Sequence, residues 1–276
     1  MKPTRVLALI LLSMGVAAAQ TETDSSGAPP SISSIFDTEL ATQAAQASSA
    51  PLSYTIAHFP YGGGWSTRVV LANSGKADAT VNITFFNQAG APTLVPLEGQ
   101  GKEGTQKIVV HPNDTQVVGA DPSERSLGPL QVAWATASSS APLNVFTLFD
   151  FGSAQAIQGA VGAQSTAPAK TFRFPVSVGG PLNYNFGLAI ANPNKTKTTV
   201  TVKVLNADGT SKGSFQESLP ANGQTILTLP SKITFDTSTL FDGSVAVCAS
   251  QPVGLITVGF EGGAFFSASV TNDPCP

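Results

Sequence analysis

Residues 69–90, VVLANSGKADATVNITFFNQAG, and residues 188–209, LAIANPNKTKTTVTVKVLNADG, align without a gap at a constant offset of 119. Asn73 falls on Asn192, Thr80 on Thr199, Asn87 on Asn206 and Gly90 on Gly209. In each copy apolar residues alternate with polar ones. Val81, Ile83 and Phe85 enclose Asn82 and Thr84; Val200, Val202 and Val204 enclose Thr201 and Lys203. A period of two places one face of a strand in a core and the other in water. Residues 87–90 and 206–209 then read as hairpin turns, with glycine available for a left-handed backbone.

Weaker landmarks extend the match: Phe59-Pro60 with Phe174-Pro175, Pro112 with Pro220, and Pro142 with Pro252. A period of 110–120 residues is the size of a whole domain and too long for a solenoid repeat. The expected organisation is therefore a signal peptide at 1–19, a flexible Ser/Ala-rich spacer at 20–53, and β-sandwich domains at 54–166 and 167–276. Further strands are expected at 106–110, 130–136 and 143–151, with counterparts at 224–229, 243–248 and 253–260. One last strand per copy ends at Val161 and spans 264–270. About seven short strands per copy, separated by Gly, Pro and Asn turns, read as two tandem Ig-like antiparallel sandwiches, an all-β class. Strand order is not readable at this level.

The glycine run at 62–64 leading into Trp65-Ser-Thr, then residues 69–73, then a Thr/Val strand ending in Asn-x-x-Gly, resembles a known pattern. It is similar to a tandem Ig-like or fibronectin-like sandwich repeat of secreted bacterial proteins. The resemblance covers nearly all of 54–276 and implies a β-sandwich in an extracellular setting. It carries no catalytic residues. The second copy departs from it, with Tyr184-Asn-Phe in place of Trp65-Ser-Thr after a longer loop.

The N-terminus predicts secretion. Lys2 and Arg5 precede an apolar run, and Ala17-Ala18-Ala19 supplies a small-residue cleavage site before Gln20. The mature chain is then expected in the periplasm or outside the cell, without a membrane span. Removing Lys2 and Arg5 from 14 basic residues leaves 12 against 17 acidic, a net charge of -5. Such a surface lacks the electrostatic footprint of a nucleic-acid binder. In an oxidising compartment, Cys248 and Cys275 read as one disulfide tying the tail to the second copy, worth roughly 3–4 kcal/mol on the chain-entropy model. Within the spacer, residues 32–40 are more apolar than their surroundings and could form a helix or a docking strand.

Candidate chemistry is sparse. His58 and His111 lack second ligands at diagnostic spacing and read as solvent-exposed structural residues. Glu98, Glu103, Asp121, Glu124 and Asp150 are the carboxylates a glycoside hydrolase would need, of which only Asp150 ends a strand. Asp121, Glu124, Asp236 and Asp242 lie in loops without a calcium-loop pattern. The triglycine at 62–64 lacks the Lys-Ser/Thr and helix of a phosphate cradle and reads as a flexible loop. No cofactor or metal is expected. Asn82, Asn113 and Asn194 fit the glycosylation pattern, read here as coincidental.

The binding feature, if any, is aromatic. Trp134 lies on the alternation Leu130, Val132, Trp134 and is read as a sandwich-core residue. Trp65 follows the glycine loop, Tyr61 lies four residues earlier, and the second copy offers Tyr184 and Phe186; rings at such loops either cap the core or stack on a sugar or partner. The expected function is that of a non-enzymatic structural or interaction protein of the cell surface or extracellular space. The alternatives are a carbohydrate-binding module using those loop aromatics and a surface-fibre or adhesion subunit. A glycan or another surface protein is the expected partner; oligomeric state stays open.

Overall fold

The computed structural model describes residues 52–276 apart from 127, 154, 155, 166, 262 and 263. The expected signal peptide, and the expected spacer up to residue 51 with its 32–40 patch, lie outside the described residues. What is described is all-β, with two short 3-10 turns at Pro122–Ser126 and Leu229–Ser231.

In the first half, β1 (Ser53–Tyr61), β3 (Ala79–Phe86), β6 (Thr105–Val110) and β8 (Gln131–Ser139) form one antiparallel sheet in the order β1-β8-β3-β6. A second sheet runs β10-β9-β2-β7, from β2 (Trp65–Ala72), β7 (Thr115–Gly119), β9 (Asn144–Gly152) and β10 (Ile157–Gln164). A small hairpin, β4 (Val95–Leu97) with β5 (Gly101–Glu103), precedes β6. The second half repeats the strands of both sheets but, among the described residues, lacks a counterpart of the β4–β5 hairpin. β11 (Ala169–Gly179), β13 (Thr198–Asn206) and β14 (Ser211–Leu219) take the places of β1, β3 and β6. β12 (Asn185–Ala191), β15 (Gln224–Thr228) and β17 (Ala264–Phe266) take those of β2, β7 and β10. In an immunoglobulin constant domain the first two strands share a sheet. Here β1 and β2 lie in opposite sheets, so the sandwich has a different strand order.

The halves also differ in their longest strands. β8 and β9 are distinct, as expected, but their counterparts fuse into a single strand, β16 (Leu240–Glu261), of 22 residues. Its first part pairs with β11 and β13 and its second with β12 and β17, so it joins both sheets. The local chemistry accounts for this. Ser139 Oγ closes a turn onto the Ala141 carbonyl between β8 and β9. The equivalent residue is Ala249, which has no hydroxyl. The next residue matches in both halves: Thr80 N–H donates to Ser140 Oγ (2.8 Å) and Thr199 N–H to Ser250 Oγ (3.1 Å).

Each sandwich has its own core. In the first, Ile56, Phe59, Ile83 and Phe85 face Val69, Leu71 and Val145; in the second, Phe172, Phe174 and Val202 face Leu188, Ile190 and Leu255. The repeated asparagines are buried braces. Asn73 Nδ2 donates to the carbonyls of Ala77 and Val110, and its Oδ1 accepts the Gly75 N–H. Asn192 donates to the carbonyls of Thr196 and Pro220, and its Oδ1 accepts the Asn194 N–H. The corner they hold is marked by Asn113 (φ 58°) and Asn222 (φ 52°), so Ala221 and not Pro220 takes the place of Pro112. The expected disulfide forms between Cys248 on β16 and Cys275.

A third cluster joins the halves: Ala57, Trp134, Phe149, Val161 and Ala163 pack on Ala191 and Ile256. Trp134 is fully buried, but not inside its own sandwich. Ala133, Ala135 and Ala137 point into that core, opposite bulky Phe59 and Phe85, and Trp134 faces the second half. Its indole N–H donates to the Asn222 carbonyl (3.0 Å), and its ring stacks on Phe86 at 4.9 Å. Gln224 adds two bonds, from its side chain to the Ala57 carbonyl and from its amide N–H to the Gln88 carbonyl (3.0 Å).

The two hairpin glycines separate the scaffold role from the joining role. Both have a left-handed backbone, φ 92° at Gly90 and 84° at Gly209. A Cβ on Gly209 would meet nothing within 4 Å, whereas one on Gly90 would lie 2.2 Å from the Ala221 carbonyl oxygen. Gly209→Ala should therefore cost about 1–2 kcal/mol of backbone strain. Gly90→Ala should cost about 1–3 kcal/mol more, because a backbone clash is added. Urea-unfolding midpoints of the two variants measure the difference, and equal midpoints would contradict the joining role of Gly90.

Candidate functional site

Where the edge of the first sandwich meets the outer face of the second, the packing leaves a cavity of about 350 Å³. Strand periodicity explains its walls. On β12, Phe186, Leu188 and Ile190 enter the second core, which turns Gly187 and Ala189 outward; on β16, Val253 and Leu255 enter it, which turns Ile256, Val258 and Phe260 outward. The first half closes the cavity with His58, Pro60, Trp65, Val132, Phe149 and Val161. Leu130 and Ile226, respectively 48% and 38% exposed, line its accessible side.

His58 is the titratable group in the wall. It sits at a β-bulge, between the register pairs of Ile56 and Phe59 on β8, so its ring is turned out of the regular alternation. It is not the solvent-exposed residue expected. The ring lies 5.6 Å from that of Phe149, and Nδ1 is buried without a hydrogen-bond partner. Burial without a counter-charge lowers its pKa from 6.5 to about 4. His111, by contrast, is exposed, and its hydrogen bond to Asp78 (2.9 Å) raises its pKa.

The loop aromatics have mixed surroundings. Trp65 is half-buried, 5.0 Å from Phe151 of its own half and 5.3 Å from Phe265 of the other. Phe186 is a core residue, 1% exposed and packed on Phe174 and Phe266, so it is removed from any surface platform. Tyr61 and Tyr184 are half-buried. Burial and the Glu124 charge raise the Tyr61 pKa; a hydrogen bond to Glu261 leads the causes that raise that of Tyr184. The triglycine is held in place: Gly64 N–H donates to the Arg125 carbonyl (2.7 Å), and its carbonyl accepts the Gly152 N–H (2.8 Å).

Asp150 is buried, at 2% exposure, in a charged cluster. Arg68 grips it with two nitrogens, Nε at 3.0 Å and Nη2 at 3.3 Å, and Arg125 Nη2 lies 3.7 Å away. A carboxylate gripped by one guanidinium and approached by a second is held in one position, a bracing arrangement. Asp121 is engaged by Ser123, and Asp236 by Ser238 and Thr239. Among the described residues no group of three His, Cys, Asp or Glu side chains could hold a metal ion.

The matched registers show where the halves differ. Ser66 pairs with Asp150 as Asn185 pairs with Phe260, and Val70 with Val117 as Ala189 with Ile226. Arg68 and Asp150 thus correspond to Gly187 and Phe260. The outer face that carries an ion pair in the first half is an apolar cavity wall in the second. The cavity is invisible to sequence reasoning because it needs the two halves docked; the signal that was present is this exchange of charge for Gly and Phe. Against known proteins, the chain matches no family model and no curated sequence. The fold and site define a class: an all-β sandwich protein with an apolar cavity between its halves.

Two measurements check these assignments. Because the folded-state pKa of His58 lies below its unfolded value, its neutral form favours folding fully above pH 6.5. That contribution, on the order of 3 kcal/mol, should be lost as pH falls from 6.5 to about 4. The stability difference between wild type and His58→Leu, followed by denaturant titration across that range, should change accordingly; a pH-independent difference would contradict the burial. Asp150→Ala should cost about 3–5 kcal/mol, because it strands Arg125 without its counter-charge. Arg68→Ala, removing a partner whose side chain is 43% exposed, should cost about 1 kcal/mol in the same assay.

Proposed function

We propose that the chain is a non-enzymatic secreted structural or interaction protein of the cell surface or extracellular space. The observation that carries this reading is the continuous packing from the first half into the second, through Trp134, Ala57, Ala191 and Ile256. Such packing presents two sandwiches as one stiff body, which suits a spacer or contact surface. The arginine contacts of Asp150 and the buried, unpaired Nδ1 of His58 support bracing and packing roles for these residues. The Cys248–Cys275 disulfide and the basic-apolar-alanine start of the sequence support export. Among the described residues no helix is long and apolar enough to cross a membrane, a statement that leaves β-barrel insertion untouched. Open edges suit partner contact: β7 ends its sheet with Val117 53% exposed, and β6 ends the other with Val109 41% exposed.

A panel of ester, glycoside and peptide substrates tests the non-enzymatic reading. The mature chain should give no turnover above buffer. Hydrolysis that scales with protein and disappears in a folded His58→Leu or Asp150→Asn variant would overturn it in favour of a hydrolase. Export is checked by N-terminal sequencing of protein recovered outside the cytoplasm, which should begin at Gln20 with the disulfide closed.

A further inference from the structure

We propose that the cavity between the halves binds a neutral apolar small molecule of about 10–14 carbon atoms bearing one hydroxyl or carbonyl group, with His58 as its interior hydrogen-bond partner. The size follows from volume. An apolar cavity of about 150 Å³ takes a benzene ring, so about 350 Å³ takes roughly twice that number of carbons or slightly more.

The class of ligand follows from the walls. Phe149, Val161, Ile256, Val258 and Phe260 offer apolar surface, and among the described residues no Lys, Arg, Asp or Glu lines the cavity. The remaining polar lining residues are peripheral: Gln88 is exposed and Thr228 half-buried. His58, neutral above about pH 4, can donate to a carbonyl or accept from a hydroxyl, but it offers no positive charge to a carboxylate. A fatty acid anion would lose its hydration and meet no cation.

The comparison of the two halves supports a built cavity over a packing flaw. At matched positions the first half carries an ion pair on its outer face, Arg68 with the buried Asp150, and the second carries Gly187 and Phe260. A Cβ on Gly187 would already lie 3.3 Å from the Phe260 ring, so the glycine leaves room for that ring against the strand. Both changes make the wall smoother and more apolar where the first half covers it.

Fluorescence of 2-naphthol, a ten-carbon probe with one hydroxyl group, with the mature chain tests this, with 1-decanol and decanoate as competitors at pH 7.5. The expected result is saturable binding at one site, displaced by decanol and at least tenfold less well by decanoate. Ile226→Trp, which narrows the accessible side, should weaken probe binding at least tenfold. Val117→Trp, the same change at the matched position of the first half, should leave it unaltered, with circular dichroism and melting confirming that both variants fold. His58→Leu should lower decanol affinity about tenfold. The proposal is overturned by absence of saturable binding, by equal displacement with decanoate, or by equal losses in the two Trp variants. An unchanged decanol affinity in His58→Leu would remove the assigned partner. Binding that emerges only after deletion of residues 20–51 would make the chain's own spacer the occupant, and would also overturn it.

Discussion

Strand β1 is buried on both faces, and much of the molecule follows from that. Tyr54, Ile56 and Phe59 fill the first sandwich, while Thr55 and Ala57 press on the second half, where Thr55 lies against Gly254. An edge strand of an isolated sandwich would keep its outer face wet or charged. Here that edge is covered by the outer face of β12 and β16, and Trp134 and the Gln224 bonds complete the seam. Apolar burial supplies the driving force, at about 25 cal/mol per Å² removed from water. The polar bonds set the register of one half on the other, because each would otherwise be a buried unsatisfied group.

The seam explains why matched residues have unequal duties. Asn73 and Asn192 perform the same task in both halves, since the corner they brace lies within each sandwich. Gly90 and Gly209 make the same turn, but only Gly90 touches the other half. Arg68 and Asp150 form an ion pair where the turn carrying Arg125 covers the face, and Gly187 and Phe260 replace them where the first half does. A repeat sets the fold of each copy; the docking surface then imposes separate demands on each.

Much of the architecture was legible in single residues. The alternation of Val81, Ile83 and Phe85, the two Asn-x-x-Gly turns and the lone cysteine pair each depend on neighbours close in the chain or on a simple compartment argument. The site was less legible. Trp134 was rightly buried but assigned to the wrong side of its strand, because large apolar residues carry more weight in a pattern than the Ala133, Ala135 and Ala137 that fill a core already crowded by Phe59 and Phe85. His58 looked exposed because a polar residue beside a Phe-Pro pair reads as a strand end, whereas a bulge turns it into the seam. Phe186 looked like a loop aromatic because nothing in its neighbourhood reveals that β12 begins one residue earlier.

By itself, the sequence determined the all-β class, the internal repeat, the turn positions and the cysteine pair, all of which rest on local periodicity or on spacing along the chain. Tertiary structure alone decided the strand order, the fusion of the last long strand, the clamp on Asp150 and the cavity beside His58. Those depend on which faces meet. A side chain's burial is set by both partners of an interface, and residues such as Gly187, Phe260 and Trp134 take their meaning from a surface more than fifty residues away in the chain.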